Sequence, residues 1–187
     1  MRCRCGSVDP FLFYFNDDDS YPGVSRDDIV QQVPMLNKKY LSYTAYADVD
    51  KETLFTKDEL KNAGKLKSDN LKTVYLENKG NHFEMKELPV EAQYSPVYAI
   101  AAGDFNKDGN TDFILAGNNA FTRIKFGRYD ASHAMLFIGN GKGGFRYVPQ
   151  NRSGLNVQGN TRSISIINDL VIFGINNDRV ITYATKR

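Results

Sequence analysis

The sequence has no tryptophan, only two cysteines, and no apolar run near the ~20 residues that a membrane helix needs. Its formal net charge is only +2 and the basic residues are scattered, so no basic stripe indicates nucleic-acid binding. The first residues, Met-Arg-Cys-Arg-Cys-Gly, lack the apolar segment of a secretory signal peptide. The sequence therefore predicts neither a membrane span nor a nucleic-acid partner.

The two cysteines, Cys3 and Cys5, lie two positions apart at the start of the chain. They fit either half of a metal or redox site or a pair of spare thiols. Because a structural zinc site needs four ligands and no further cysteine exists, we interpret them as spare thiols.

Short apolar or alternating runs recur along the chain and are separated by Gly, Asn and Asp. Phe and Tyr together account for all of the 12% aromatic content, which favours strands. Short strands with turn signals at this spacing predict a mainly β, antiparallel fold. The predicted strands are Phe11–Phe15, Thr73–Glu77, Phe83–Leu88, Val97–Ala102, Asp112–Ala116, Ala134–Ile138, Phe145–Val148, Arg162–Ile167, Leu170–Gly174 and Arg179–Ala184.

One interval, at about residues 25–66, has helical spacing instead. Ser25 and Thr56 each precede an acidic residue by three positions, which is the pattern of an N-terminal capping box. Pro34 should divide the first helix, and Gly64 should end the second. The interval predicts a helical insertion between two strands.

Parts of the chain resemble one another. Leu76–Phe83 matches Ile138–Phe145, and Ile114–Asn119 matches Ile172–Asn177, so a strand-rich unit recurs at roughly 60 residues. A four-stranded unit of that length is typical of a β-propeller blade. We therefore predict antiparallel four-stranded blades of a partial β-propeller, with a helical insertion in the first blade.

The repeats predict three parts. Residues 1–90 form a partial blade with the insert at about 25–66, residues 91–150 a complete blade, and residues 151–187 a partial final blade. When the N-terminus is aligned on the repeat, Met1, Cys3 and Cys5 fall at the positions of three ligands. We therefore interpret the N-terminus as the relic of a second metal loop. We expect the chain to be a piece of a larger propeller whose open blade edges invite self-association.

The segment Asp-Phe-Asn-Lys-Asp-Gly-Asn-Thr-Asp, residues 104–112, predicts a calcium-binding hairpin loop. Alternate positions of a tightly wound loop can face one centre, and calcium prefers six to eight oxygen ligands. Asp112 should close the far side directly or through water, and Gly109 permits the sharp turn. The predicted ligands are the side chains of Asp104, Asn106 and Asp108, the backbone carbonyl of Asn110, and Asp112.

The loop has three other interpretations. An EF-hand requires a bidentate Glu at position 12 and flanking helices, but Leu115 stands there and both flanks have strand character. Magnesium is disfavoured because it keeps its waters in a strict octahedron. The remaining alternative is a hairpin that binds nothing, since Asp, Asn and Gly are common in turns.

The segment 99–117, Ala-Ile-Ala-Ala-Gly-Asp-Phe-Asn-Lys-Asp-Gly-Asn-Thr-Asp-Phe-Ile-Leu-Ala-Gly, closely resembles the FG-GAP repeat, also called the VCBS repeat. Asp9–Phe15, Ser20–Asp28 and Phe126–Ser132 resemble the C-terminal propeller region of large bacterial VCBS proteins related to cartilage acidic protein. The resemblance implies a secreted or cell-surface propeller used for binding. Because the turn at Ile167–Leu170 lacks ligands, we expect one intact calcium site.

Other polar residues fit simpler roles. His82 and His133 have no matched nucleophile or metal-ligand partner in sequence and are interpreted as surface or satisfied histidines. Arg128 and Asp130 could contact a ligand, but an ion pair that orders their loop is favoured. The acidic run 17–19 is interpreted as a solvated turn.

Three functions remain open. The favoured one is a non-enzymatic, calcium-stabilised binding or scaffold module whose ligand is a protein or a glycan. The alternative is a propeller-type hydrolase or lyase acting on carbohydrate, with the helical insert shaping its site. The third is a structural role in which calcium only stiffens a hairpin. Tyr40, Tyr43 and Tyr46, three apart, favour packing of the insert onto the blade over sugar binding.

Overall fold

A computed structural model describes residues 9–185 of the chain. Met1, Cys3 and Cys5, and with them the predicted relic loop, lie outside these residues. The chain divides after Asp69 into two compact units. Among residues 9–185, no helix has both the length and the apolar character required to cross a membrane.

The first unit begins with a β-hairpin. Strand β1, Phe13–Asn16, pairs antiparallel with strand β2, Asp19–Pro22, and Asn16 lies opposite Asp19. Asp17 turns the chain with a φ of 53°. The predicted turn is therefore present, but Asp19 belongs to β2, a strand that the sequence did not predict.

Short helices follow the hairpin, as predicted for this interval. Ser25 and Thr56 both form complete capping boxes, and the first helix ends just before Pro34. The prediction that Gly64 ends the last helix is wrong, because Asn62 caps it and its amide donates to the Asp58 carbonyl. The elements are α1, Arg26–Gln32; a 3₁₀ helix, Pro34–Lys38; α2, Tyr43–Ala47; α3, Lys51–Leu54; and α4, Lys57–Lys61.

The helices and β1 share an apolar core. The Phe55 ring lies edge-on to Phe11, with the ring centroids 4.9 Å apart. Tyr40 is buried and contacts Tyr46 at 5.6 Å between ring centroids, whereas Tyr43 is exposed. Tyr40 and Tyr46 thus pack against each other within the insert, and the packing of the insert onto the blade stays a prediction. The buried members of this core are Ile29, Tyr40, Val49, Leu54 and Phe55.

Acid should weaken the N-terminus of α3. The hydroxyl and the backbone N–H of Thr53 donate to the Asp50 carboxylate and lower the pKa of Asp50. Because the folded pKa is depressed, the stabilisation is complete above the unfolded pKa of about 3.9 and is lost as pH falls through the folded value. We expect Asp50→Asn, which caps without titrating, to be less stable than wild type at neutral pH and to approach it in acid.

Urea unfolding followed by circular dichroism at several pH values measures that difference. Ser42→Ala is the matched control, because Ser42 caps α2 through a hydroxyl that does not titrate. A stability difference for Asp50→Asn that stays constant from neutral pH into acid would contradict the prediction.

The second unit consists of antiparallel sheets, which confirms the predicted fold class. Each predicted strand is present within two residues of its predicted ends. The strands are β3, Val74–Asn78; β4, Phe83–Glu87; β5, Val97–Gly103; β6, Asp112–Gly117; β7, Met135–Gly139; β8, Phe145–Val148; β9, Thr161–Ile167; β10, Leu170–Ile175; and β11, Ile181–Ala184. They form a β3–β4 hairpin, a four-stranded sheet ordered β5-β6-β7-β8 and a three-stranded sheet ordered β11-β10-β9. A short helix α5, Gln150–Ser153, and 3₁₀ turns at Val90–Gln93 and Ile124–Phe126 connect them.

The four-stranded sheet is covered on both faces. Ile114 packs with Val171 and Phe173 of the three-stranded sheet. Its neighbour Leu115 points the opposite way and packs with Phe137 of the same sheet and with Ala92 of the Val90–Gln93 turn. Because successive side chains of a strand alternate between faces, burial of both faces explains why β6 is a continuous apolar run.

The internal repeat has a structural counterpart. Asn78, the last residue of β3, accepts a hydrogen bond from the backbone N–H of Gly80 at 2.8 Å, and Asn140, directly after β7, accepts one from the backbone N–H of Lys142 at 2.9 Å. The two hairpins are therefore turned by equivalent asparagines. The division at residues 90 and 150 stays a prediction.

Candidate metal-binding loop

The loop at residues 104–112 connects β5 to β6, and Gly103 pairs with Asp112 where the hairpin closes. Both flanks are strands, as predicted, which agrees with rejection of an EF-hand. Lys107 and Gly109 have φ values of 62° and 84°. Nothing lies within 4 Å of the Cβ position at Gly109, so its backbone conformation, not lack of space, requires glycine.

Three predicted ligands lie together in this loop. The Asp104 carboxylate accepts hydrogen bonds from the backbone N–H groups of Asp108 at 3.1 Å and Gly109 at 2.9 Å. The Asn106 side-chain oxygen also accepts from the Asp108 N–H, and its amide nitrogen donates to the Asp108 carboxylate at 2.8 Å. The loop is thus wound around its own acidic and amide side chains.

The electrostatics of the loop favour a charged carboxylate at Asp108. The Asn106 amide and the backbone N–H of Asn110 donate to this carboxylate and hold the pKa of Asp108 below its ordinary value. Asp108 is therefore ionised at neutral pH, and the two groups that donate to its carboxylate are both uncharged.

Asp112 has a different environment. It is fully buried, and its two oxygens accept hydrogen bonds from the backbone N–H groups of Phe105 and Gly139, each at 2.9 Å. Among residues 9–185, no three His, Cys, Asp or Glu side chains are grouped so as to hold a metal ion. The structure thus brings Asp104, Asn106 and Asp108 together and uses Asp112 to attach the loop to β7.

Asn110 contacts the turn between β7 and β8. A Cβ added to Gly141 would lie 2.3 Å from the Asn110 side-chain oxygen, and one added to Gly139 would lie 2.2 Å from the Thr111 carbonyl oxygen. The contact with the Thr111 backbone requires glycine at 139, and at 141, where the contact is with a side chain, a φ of 68° favours glycine. The loop and the β7–β8 turn are therefore packed tightly against each other.

Hard oxygen donors make up the whole donor set of the loop, which is the chemistry calcium prefers. A carboxylate offers about four lone-pair sites, so two accepted hydrogen bonds leave Asp104 able to bind a cation. At Asp108, a cation would replace the hydrogen bond from the Asn106 amide. The residues of the loop therefore fit calcium.

The other polar residues considered as site candidates have structural or surface roles. Arg128 and Asp130 form an exposed ion pair at 3.3 Å, which agrees with a pair that orders its loop. His82 is exposed and contacts Asn81. The Ile167–Leu170 turn is a two-residue hairpin turn, and Ile167 lies opposite Leu170.

Sequence reasoning missed a buried polar cluster around Asn118. Its side-chain oxygen accepts from the Ser95 hydroxyl at 2.7 Å and from the Ser132 N–H at 3.0 Å. Its amide donates to the carbonyl oxygens of Ser132 at 2.7 Å and Gly159 at 3.0 Å. Asn118 thus joins three distant segments. The only sequence signal is the repeated Asn-Asn pair, at 118–119 and 176–177.

Two open clefts lie on the second unit. One, of 530 Å³, adjoins the loop and is lined in part by Asp108, Asn110, Asn140 and Arg146. The other, of 480 Å³, lies between the β3–β4 hairpin and the β7–β8 turn. Both are open rather than enclosed.

Comparison with known proteins identifies the segment that contains the loop. Residues 96–134 match the family model of the FG-GAP repeat, and this range includes β5, the loop and β6. FG-GAP repeat proteins are typically non-enzymatic binding modules at the cell surface or outside the cell. No curated protein and no solved structure matches the chain. The resemblance to VCBS proteins and to cartilage acidic protein stays a prediction.

Proposed function

We propose that the chain is a calcium-binding β-propeller segment that acts as a non-enzymatic binding or scaffold module of a secreted or cell-surface protein. The observation that carries this proposal is the oxygen-lined loop at the β5–β6 hairpin, inside the FG-GAP match. An unidentified protein or glycan is its ligand.

Calcium is held by the loop's own oxygens in this proposal. Asp104, Asn106 and Asp108 supply side-chain oxygens and Asn110 its backbone carbonyl. Because Asp112 already accepts two backbone hydrogen bonds, it closes the far side through a remaining lone pair or a water. Bound calcium neutralises the carboxylates and restrains the hairpin.

That restraint reaches the adjacent cleft. Asn110 packs on Gly141, and Asp112 binds the Gly139 N–H, so ordering of the loop also orders the β7–β8 turn. The same turn lines the 530 Å³ cleft through Gly139 and Asn140. Calcium therefore shapes a surface on which a ligand binds, beyond stiffening one hairpin.

Several observations support binding over catalysis. Both clefts are open, whereas enzyme sites usually bury most of their substrate. Asp108, which lines the 530 Å³ cleft, has a lowered pKa, whereas a general base that works near neutral pH would need a raised pKa.

Strands β8 and β11 are sheet edges, and we propose that such edges permit self-association.

A panel of glycans and extracellular proteins, immobilised and probed with the chain in calcium and in EDTA, tests this function. We expect saturable, calcium-dependent binding without release of reducing ends or unsaturated sugars from the bound glycans. Cleavage of a glycan would instead establish the hydrolase or lyase. Calcium-independent binding would reduce the metal to a structural role.

A further inference from the structure

The loop between β6 and β7, residues 119–131, presents large apolar side chains to solvent. Ile124 is fully exposed at its tip, and Phe121 and Phe126 are exposed by 71% and 53%. A small domain seldom leaves several large apolar side chains uncovered on one loop without a partner surface. This loop, called the β6–β7 loop below, takes no part in the proposed calcium site.

The β6–β7 loop is held in shape at its base. Asn119 and Tyr129 exchange both backbone hydrogen bonds, at 2.7 and 3.0 Å. The Ala120 N–H donates to the side-chain oxygen of Asn160 at 3.0 Å, and the Ser95 hydroxyl oxygen lies 3.2 Å from the Tyr129 carbonyl oxygen. Together with the buried Asn118 cluster, these contacts fix the two ends of the loop.

The tip is a single 3₁₀ turn, Ile124–Phe126, and it carries positive charge. Arg123 and Lys125 flank Ile124, and Arg128 follows, while Asp130 is the one acidic residue of the loop. Lys125 lies 5.3 Å from the centre of the Phe126 ring, so the ammonium group and the apolar surface are presented side by side. Basic side chains next to apolar ones are complementary to a surface that has negative charge at its exterior and an apolar layer below it.

We propose that the β6–β7 loop docks on an anionic lipid surface. Ile124 and the neighbouring phenylalanines enter the boundary between headgroups and acyl chains, while Arg123 and Lys125 bind lipid phosphates or carboxylates. Full exposure of Ile124 favours lipid over an acidic protein, because a side chain that is exposed on all sides needs a partner that encloses it. A fluid interface does so without a preformed pocket.

The absence of tryptophan makes insertion directly measurable. In Ile124→Trp, the introduced indole is the sole tryptophan of the full chain. Its emission should shift to shorter wavelength with phosphatidylcholine vesicles that contain phosphatidylserine, and not with phosphatidylcholine alone. Raising salt from ~0.1 M to ~1 M, which shortens the Debye length from about 10 Å to about 3 Å, should reverse the shift.

Vesicle co-sedimentation of substituted chains identifies the residues responsible. Ile124→Asp and Lys125→Glu should each weaken binding to phosphatidylserine vesicles about tenfold or more. Leu66→Asp and Lys65→Glu, at exposed positions outside the loop, are the matched controls and should bind as wild type does. Both tip positions are exposed, and circular dichroism verifies that every variant is folded.

Two results would overturn the lipid proposal. The first is equal binding by the tip variants and their controls. The second is displacement from vesicles by polyglutamate without any emission shift at position 124, which would assign the loop to an acidic protein surface.

Discussion

Removal of calcium with EDTA is expected to lower the melting temperature of the second unit by roughly 10 °C. A ligand at ~100 times its Kd stabilises the folded state by about 2.7 kcal/mol, and this gives the expected size of the shift. Asp108→Ala removes one of the carboxylates around the cation and should melt at the same temperature in calcium and in EDTA. Differential scanning calorimetry of the wild type and of Asp108→Ala, each in calcium and in EDTA, measures the four melting temperatures.

The matched control is Asp169→Ala. Asp169 lies in the tight turn between β9 and β10. In the internal repeat this turn is equivalent to the β5–β6 loop, but it lacks the predicted calcium ligands. That variant should keep the full response to EDTA whatever its own stability. If wild type and Asp108→Ala respond equally to EDTA, the loop is not where calcium acts.

Asp112→Ala is expected to destabilise the chain by roughly 2–5 kcal/mol even in EDTA. The substitution leaves the N–H groups of Phe105 and Gly139 without their acceptors, and each unsatisfied buried donor costs about 1–3 kcal/mol. Asp112→Asn should be intermediate, because it keeps one acceptor oxygen and places an amide nitrogen against the other donor. Urea unfolding in EDTA measures both variants.

Asp108→Ala is the control for this prediction, since Asp108 is exposed and its loss should change metal-free stability little. The two aspartates are thereby separated: one matters only with calcium and the other also without it. Metal-free stability of Asp112→Ala equal to that of Asp108→Ala would contradict the role assigned to Asp112.

Much of the fold could be predicted from local patterns. Alternation and turn residues located the strands, and capping residues such as Ser25 and Thr56 located helix starts, because these signals act within a few residues. Strand β2 was missed because Asp19 continues an acidic run and Pro22 ends the strand, both of which indicate a turn. The segment is a strand because it pairs with β1, and that pairing cannot be read from the segment's own residues.

The candidate site was predictable only in part. The spacing of Asp104, Asn106 and Asp108 is local, so their convergence followed from the sequence. Asp112 was expected to face the same centre, but one of its partners, Gly139, lies 27 residues away on β7. The Asn-Asn pair at 118–119 did not reveal the role of Asn118 for the same reason, since its amide donates to Gly159, 41 residues away. Long-range polar contacts determine both roles.

Isothermal titration of calcium into the metal-free chain tests the central claim most directly. The account predicts one bound calcium per chain for wild type, no binding for Asp108→Ala, and unchanged stoichiometry for Asp169→Ala. Absence of binding to wild type, or binding that survives Asp108→Ala undiminished, would contradict it.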